Sequence, residues 1–205
     1  MRKTLIKALR RVLAADVKEY TLLAWGFDER LWKQAYHIGK QTIDKASIKE
    51  IKSRDDFGIP AVAWPHISAA LVAGVIPRPV LHKMELAAEA LAPTMEIDGV
   101  EILPGRDGSF LTLKFKSNYQ FDAFFEFAVE TFGRDKVGDY RSLYNPRHKP
   151  HASLLAVAHE DAARLESLVP EIIKGLSSKG LMHRPVKAEK LLAMEKFDVS
   201  KVHQF

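Results

Sequence analysis

Two stretches of the chain repeat one another across 85 residues: Trp64-Pro-His-Ile-Ser-Ala-Ala-Leu-Val72 and Lys149-Pro-His-Ala-Ser-Leu-Leu-Ala-Val157. Each reads Pro-His-x-Ser and then apolar residues, aligning Pro65 with Pro150, His66 with His151 and Ser68 with Ser153. In a β-strand, residues i and i+2 point to the same face. Each copy therefore sets an imidazole beside a hydroxyl on one face, and its apolar remainder anchors the strand in a core. Two such strands facing one another offer an acid, a base and two hydrogen-bond donors to one ligand. An imidazole with an ordinary pKa near 6.5 can take or give a proton near neutrality. The competing reading is two ordinary buried strands whose histidines are satisfied core groups. Pro is only about 5% of residues in average proteins, so two chance copies are on the order of one in a thousand.

Other chemistries are poorly supported. Neither serine sits in a Gly-x-Ser-x-Gly elbow, and no acid is spaced to orient a histidine, which disfavours nucleophilic serine. The absence of cysteine removes disulfides, thiolate nucleophiles and cysteine-based zinc sites together. A reducing, cytoplasmic setting is compatible with that composition. Neither motif has a third Asp, Glu or His at ligand spacing, so no metal and no cofactor are expected. His148 and His159 flank the second motif and read as loop and strand-end residues, while His37, His82, His183 and His203 carry no motif.

The net charge of +5 and pI near 9.3 favour anionic ligands such as nucleotides. No long Lys/Arg run marks a duplex-binding face, so duplex DNA is not an expected partner. No segment has the roughly 18 uninterrupted apolar residues of a membrane span. The basic N-terminus lacks the apolar core and cleavage site of a secretion signal.

The elements that must position the motifs follow from periodicity. Residues 2–16 read as a basic amphipathic helix, with Leu5, Ile6, Leu9, Val12 and Leu13 on one face. Its sharp reading is a contact with a membrane surface or nucleic acid, its plain one a helix packed on its own domain. Tyr20–Trp25 reads as a strand, and Asp28 as the N-cap of a helix reaching Lys45. The first motif strand spans about Val62–Ala73, and a helix follows over Val80–Leu91 until Pro93 stops it. Met95–Leu103 and Ser109–Lys116 form a hairpin around Pro104-Gly-Arg-Asp-Gly108. Tyr119–Phe132 is an apolar helix ended by Gly133, and residues 134–148 form a polar loop. A helix over Glu160–Leu176, interrupted at Pro170, follows the second motif, and Val186–Phe197 closes the chain as one strand. The domain layout is an N-terminal helix over 1–17 and a single bilobal domain over 18–205.

The motif pair, its separation and the order of elements resemble the 2H phosphoesterase superfamily, named for two His-x-Ser/Thr motifs on strands of two pseudo-symmetric lobes. The resemblance covers roughly residues 18–200. It implies an α+β, bilobal fold of two antiparallel sheets flanked by helices, with a central cleft. It also implies metal-independent cleavage of a small RNA-like phosphodiester: a 2′,3′-cyclic phosphate, a 2′-5′ linkage or a cyclic oligonucleotide signal. His66 and His151 would be the general acid and base, and Ser68 and Ser153 would hold the non-bridging oxygens. Gly74 matches the glycine that the family carries after the first motif, whereas nothing at Ala158 or His159 matches it after the second.

For substrate binding, a flat aromatic in a basic cleft can stack a nucleobase, which singles out Trp64, Phe110, Tyr140 and Tyr144. Arg147 and Lys149 are placed to contact phosphate. The expected partner is a nucleotide or oligonucleotide, single-stranded RNA ends included. The alternatives are a non-catalytic nucleotide or RNA binder of the same fold, and a structural module docked through the N-terminal helix.

Overall fold

The computed structural model describes residues 20–51, 65–104, 108–116, 118–138 and 150–197. The N-terminal helix expected over 2–16 lies outside them. The apolar run Tyr20–Gly26 forms strand β1, and the Asp28 carboxylate then accepts from the Arg30 N–H to cap helix α1, Glu29–Lys45. After the two-residue strand β2, Glu50–Ile51, the first motif opens strand β3, His66–Ala73. Helix α2, Arg78–Leu91, has a proline in its first turn, where its missing N–H costs nothing, and Pro93 keeps it from continuing. Strands β4, Thr94–Pro104, and β5, Ser109–Phe115, form the expected antiparallel hairpin. Helix α3, Tyr119–Phe132, is capped by the Asn118 side chain accepting from the Phe121 N–H and ends at Gly133, whose φ is +93°. Strand β6, Val137–Gly138, the second motif strand β7, His151–Val157, and helix α4, Ala162–Ser178, follow. The chain closes with β8, Pro185–Lys187, and β9, Lys190–Phe197.

The strands pair antiparallel into two sheets, ordered β6-β3-β1-β9 and β2-β7-β5-β4-β8. The α+β, two-sheet architecture expected from the sequence is the one observed. The two halves of the chain are exchanged between the lobes. Helix α1 and β2, from the first half, pack on and extend the sheet of the second motif. Helix α3 and β6, from the second half, do the same for the sheet of the first. Helices α1 and α4 approach closely because Gly175 has no side chain; a Cβ there would come within 2.7 Å of Ile38 Cγ2. The buried face of each sheet carries the core. Trp25 meets Phe124 at a ring-centroid separation of 4.9 Å, with Phe121, Phe125 and Ala128 beside it as the α3 stripe predicts.

Two expectations are corrected. The run Val186–Phe197 is two strands in different sheets: β8 pairs with β4, and β9 with β1. The chain crosses between lobes at Ala188 and Glu189, whose N–H groups donate to Pro93 and Gly26 carbonyls. Helix α4 runs unbroken through Pro170, because Leu165, Ile172 and Leu176 are buried on its inner face. Their burial, about 1.5–3 kcal/mol for each such side chain, exceeds the cost of one proline. The segment before it, His159–Asp161, is a separate 3₁₀ turn.

Candidate active site

The two motif strands are held by the same register. In the first lobe His66 lies opposite Gly26 of β1, Ser68 opposite Ala24 and Ala70 opposite Leu23, so Ala69 is an extra residue. In the second lobe His151 lies opposite Lys114 of β5, Ser153 opposite Thr112 and Leu155 opposite Leu111, so Leu154 is extra. Both strands thus bulge immediately after the serine. A bulge shifts the inward-outward alternation by one residue and bends the strand. Ahead of it, His66 and Ser68 are half-buried around a fully buried Ile67; His151 is half-buried and Ser153 exposed around a buried Ala152. Beyond it both strands run into the core. Among the described motif residues, the imidazole and hydroxyl are therefore the side chains that each strand turns out of the core.

The lobes meet behind these residues. The Phe27 N–H donates to the Pro65 carbonyl at 3.4 Å, and its counterpart, the Phe115 N–H, donates to the Pro150 carbonyl at 2.8 Å. Phe27 and Phe115 then touch edge to face, with centroids 5.8 Å apart and an interplanar angle of 71°. Two residues related by a two-fold axis can touch only near that axis. Each is also one step from a motif proline, so both Pro-His pairs are fastened beside it. Accordingly β3 and β7 adjoin although they belong to different sheets, with Cα atoms within 8 Å. Among the described residues, the outer strands β6 and β2 pair only with the far ends of β3 and β7. Gly74, with φ +83°, turns the chain after β3, whereas the 3₁₀ turn at His159–Asp161 does so after β7 without a left-handed residue. The missing second glycine is thereby accounted for.

Residues that the motif does not announce also reach the site. The Trp32 Nε1–H of α1 donates to the Ser153 carbonyl at 2.9 Å, covering the open edge of β7. Its ring stacks on Tyr36, 5.4 Å away and tilted by 12°. The Tyr36 hydroxyl donates to the Glu50 carboxylate of β2, at 3.0 and 3.2 Å from its two oxygens. Burial, reinforced by that carboxylate, pushes the Tyr36 phenol up to about 12. One helix of the first half thus bonds both the motif strand of the second and, through Tyr36, the strand β2 paired with it. Lys114 and Thr112 occupy the face of β5 shared with His151 and Ser153, since directly opposed residues share a face. The Thr112 hydroxyl is fully buried and donates to the Glu101 carbonyl at 3.1 Å. Sequence periodicity marks Lys114 only as an outward residue of β5; its place beside His151 is set by cross-strand register.

Among the residues expected from sequence, His66, Ser68, His151 and Ser153 are brought to adjoining strands. Phe110 shares the site face of β5 and is half-buried. It stands four residues from Lys114, about 13 Å along the strand at the usual rise. Trp64, Tyr140, Tyr144, Arg147 and Lys149 lie outside the described residues, as does His148. His159 sits exposed in the 3₁₀ turn, its Nδ1 3.5 Å from the Ser109 hydroxyl. Among the described residues no three His, Cys, Asp or Glu side chains are grouped closely enough to hold a metal ion. No described helix is long and apolar enough to cross a membrane.

The fold is similar to that of Usb1 from Kluyveromyces marxianus. The structure of that protein with uridine monophosphate aligns at a TM-score of 0.43 and 10% identity, covering 87% of this chain and 97% of that one. Its structure without the nucleotide gives 0.44 and 11%, covering 87% and 96%. A conserved protein of unknown function from Agrobacterium tumefaciens gives 0.43 and 12%, covering 92% and 85%. Likeness at this level transfers neither chemistry nor substrate. No family model and no curated protein sequence matches the chain.

Proposed function

We propose that the protein is a metal-independent phosphodiesterase acting on a small RNA-like phosphodiester through two-histidine acid/base catalysis. The observation that carries this reading is the duplicated register, in which each His-x-Ser strand bulges after its serine and is tied by its proline carbonyl to the axis. The repeated detail supports a site in which two imidazoles and two hydroxyls would serve one ligand between the lobes. A phosphodiester needs that set. One imidazole takes a proton from an attacking water or ribose 2′-hydroxyl, and the other returns one to the departing oxygen. Each transfer is typically worth about 10²–10⁴-fold. The serine hydroxyls donate to the non-bridging oxygens, where charge accumulates in the transition state. Trp64, Phe110, Tyr140 and Tyr144 are proposed to receive the base, and Arg147 and Lys149 to contact phosphate.

A substrate panel in EDTA tests this: 2′,3′-cyclic nucleotides, 2′-5′ and 3′-5′ oligonucleotides, and cyclic di- and trinucleotides. The expected result is turnover of at least one class without metal. Binding without turnover anywhere in the panel would replace the enzyme by a nucleotide-binding module of the same fold.

A further inference from the structure

The two-fold relation between the lobes makes every site position comparable with its counterpart, and one pair differs in charge. Opposite His66 the first lobe has Gly26; opposite His151 the second has Lys114. Along the first row the cation is Lys190 of β9, which starts one strand farther out, opposite Gly26, and passes its stem over that glycine, with Cγ 3.4 Å from where a Gly26 Cβ would lie. Directly opposed side chains on one sheet face have Cβ atoms about 4.5–5.5 Å apart. The four-carbon stem of Lys114 therefore lets its ammonium reach a phosphate held between the motifs.

Lys114 is only loosely engaged. Its ammonium is 4.0 Å from Asp98 Oδ2, beyond the 2.7–2.9 Å typical of a charge-assisted hydrogen bond, and its side chain is 30% exposed. Lys116, two residues on and just past the end of β5, shows what full engagement looks like: its ammonium lies 2.8 Å from the Glu96 carboxylate, which raises its pKa. The neighbouring acids on the second sheet are Asp98, which is the extra residue of the β4 bulge, and Glu101, opposite buried Thr112. Neither lies between Lys114 and His151, which are direct partners.

We propose that Lys114 is a substrate-anchoring residue that holds an anionic phosphate oxygen on the His151 side of the cleft. The inference rests on the phosphodiesterase reading for its setting, but a phosphate-binding measurement tests it without turnover.

Titration calorimetry with inorganic phosphate, on the full chain in metal-free buffer, provides the test. Lys114→Met keeps the length of the side chain and removes the charge; Lys114→Arg keeps the charge. Loss of a charge-assisted contact is expected to weaken phosphate binding about ten- to a hundredfold in Lys114→Met. Lys114→Arg should remain within about threefold of wild type by retaining that contact. Asp98→Asn, which removes the competing carboxylate, should bind phosphate as well as wild type or better. A Lys114→Met protein that melts like wild type and binds phosphate equally well would overturn the inference, as would a wild type that binds no phosphate. Parallel losses in Lys114→Met and Asp98→Asn would also overturn it, since they would mean that the ion pair has only a structural role. Weakened phosphate binding in Lys114→Met, in a protein that turns over nothing in the substrate panel, would uphold the anion site and refute the phosphodiesterase reading.

Discussion

Replacing Trp32 by Phe isolates the link between the first-half helix and the second motif. The substitution removes the Nε1–H that donates to the Ser153 carbonyl at 2.9 Å while leaving an aromatic ring to stack on Tyr36. Water can reach the vacated carbonyl at this half-exposed edge, so the expected cost is that of one ordinary hydrogen bond, about 1 kcal/mol. For a domain of this size that lowers Tm by about 2–4 °C. The effect on turnover should be larger. The bond fixes the backbone of the residue whose hydroxyl is proposed to hold the phosphate, and a shift of about 1 Å in such a group costs on the order of a hundredfold. The expectation is a kcat about 10–100-fold below wild type, with KM changed by less than about threefold, following the loss of one transition-state donor. Steady-state kinetics on the best substrate and a thermal melt of the same preparation read both quantities. A kcat within about twofold of wild type, together with the Tm loss, would refute the positioning role and leave Trp32 as packing.

Other expectations concern the scaffold. Pro170 lies inside α4, where its missing N–H leaves the Glu166 carbonyl without its helical donor. Pro170→Ala should therefore stabilise the protein by about 1–2 kcal/mol, after discounting the greater freedom gained by the unfolded chain; a lower urea midpoint would contradict this. Tyr36 has a folded-state pKa raised from 10.0 to about 12. Its contribution to stability is therefore complete below pH 10 and is lost as pH rises through 12, because the unfolded chain ionises first. Wild type should lose stability relative to Tyr36→Phe across that interval, and parallel pH profiles would show that the phenol is not held as described.

Local features of the fold were legible in the sequence, and the connections between distant elements were not. Asp28, Gly133 and the aromatic stripe of α3 act within a few residues of themselves, so their effects are visible locally. The motif pair is visible because it is duplicated. Exchange of α1 and α3 between the lobes is not, since an apolar face such as Leu31 and Ala35 does not specify which sheet it will cover. The strands Glu50–Ile51 and Val137–Gly138 are too short to have a period, and their partners alone make them strands. The run Val186–Phe197 looks continuous because only tertiary pairing divides it at Ala188. Trp32 and Lys114 escaped notice for the same reason: a helix donor to a distant carbonyl and a cross-strand neighbour depend on register, which sequence periodicity leaves open.

The most direct measurement of the central claim is turnover in EDTA by wild type, His66→Ala, His151→Ala and the double variant on one substrate. Two imidazoles acting on the same phosphodiester should each be indispensable. Either single substitution is expected to lower kcat by at least about 10²–10⁴-fold, and the double variant should be little worse than the weaker single one. A single variant that keeps wild-type kcat would contradict the two-histidine mechanism.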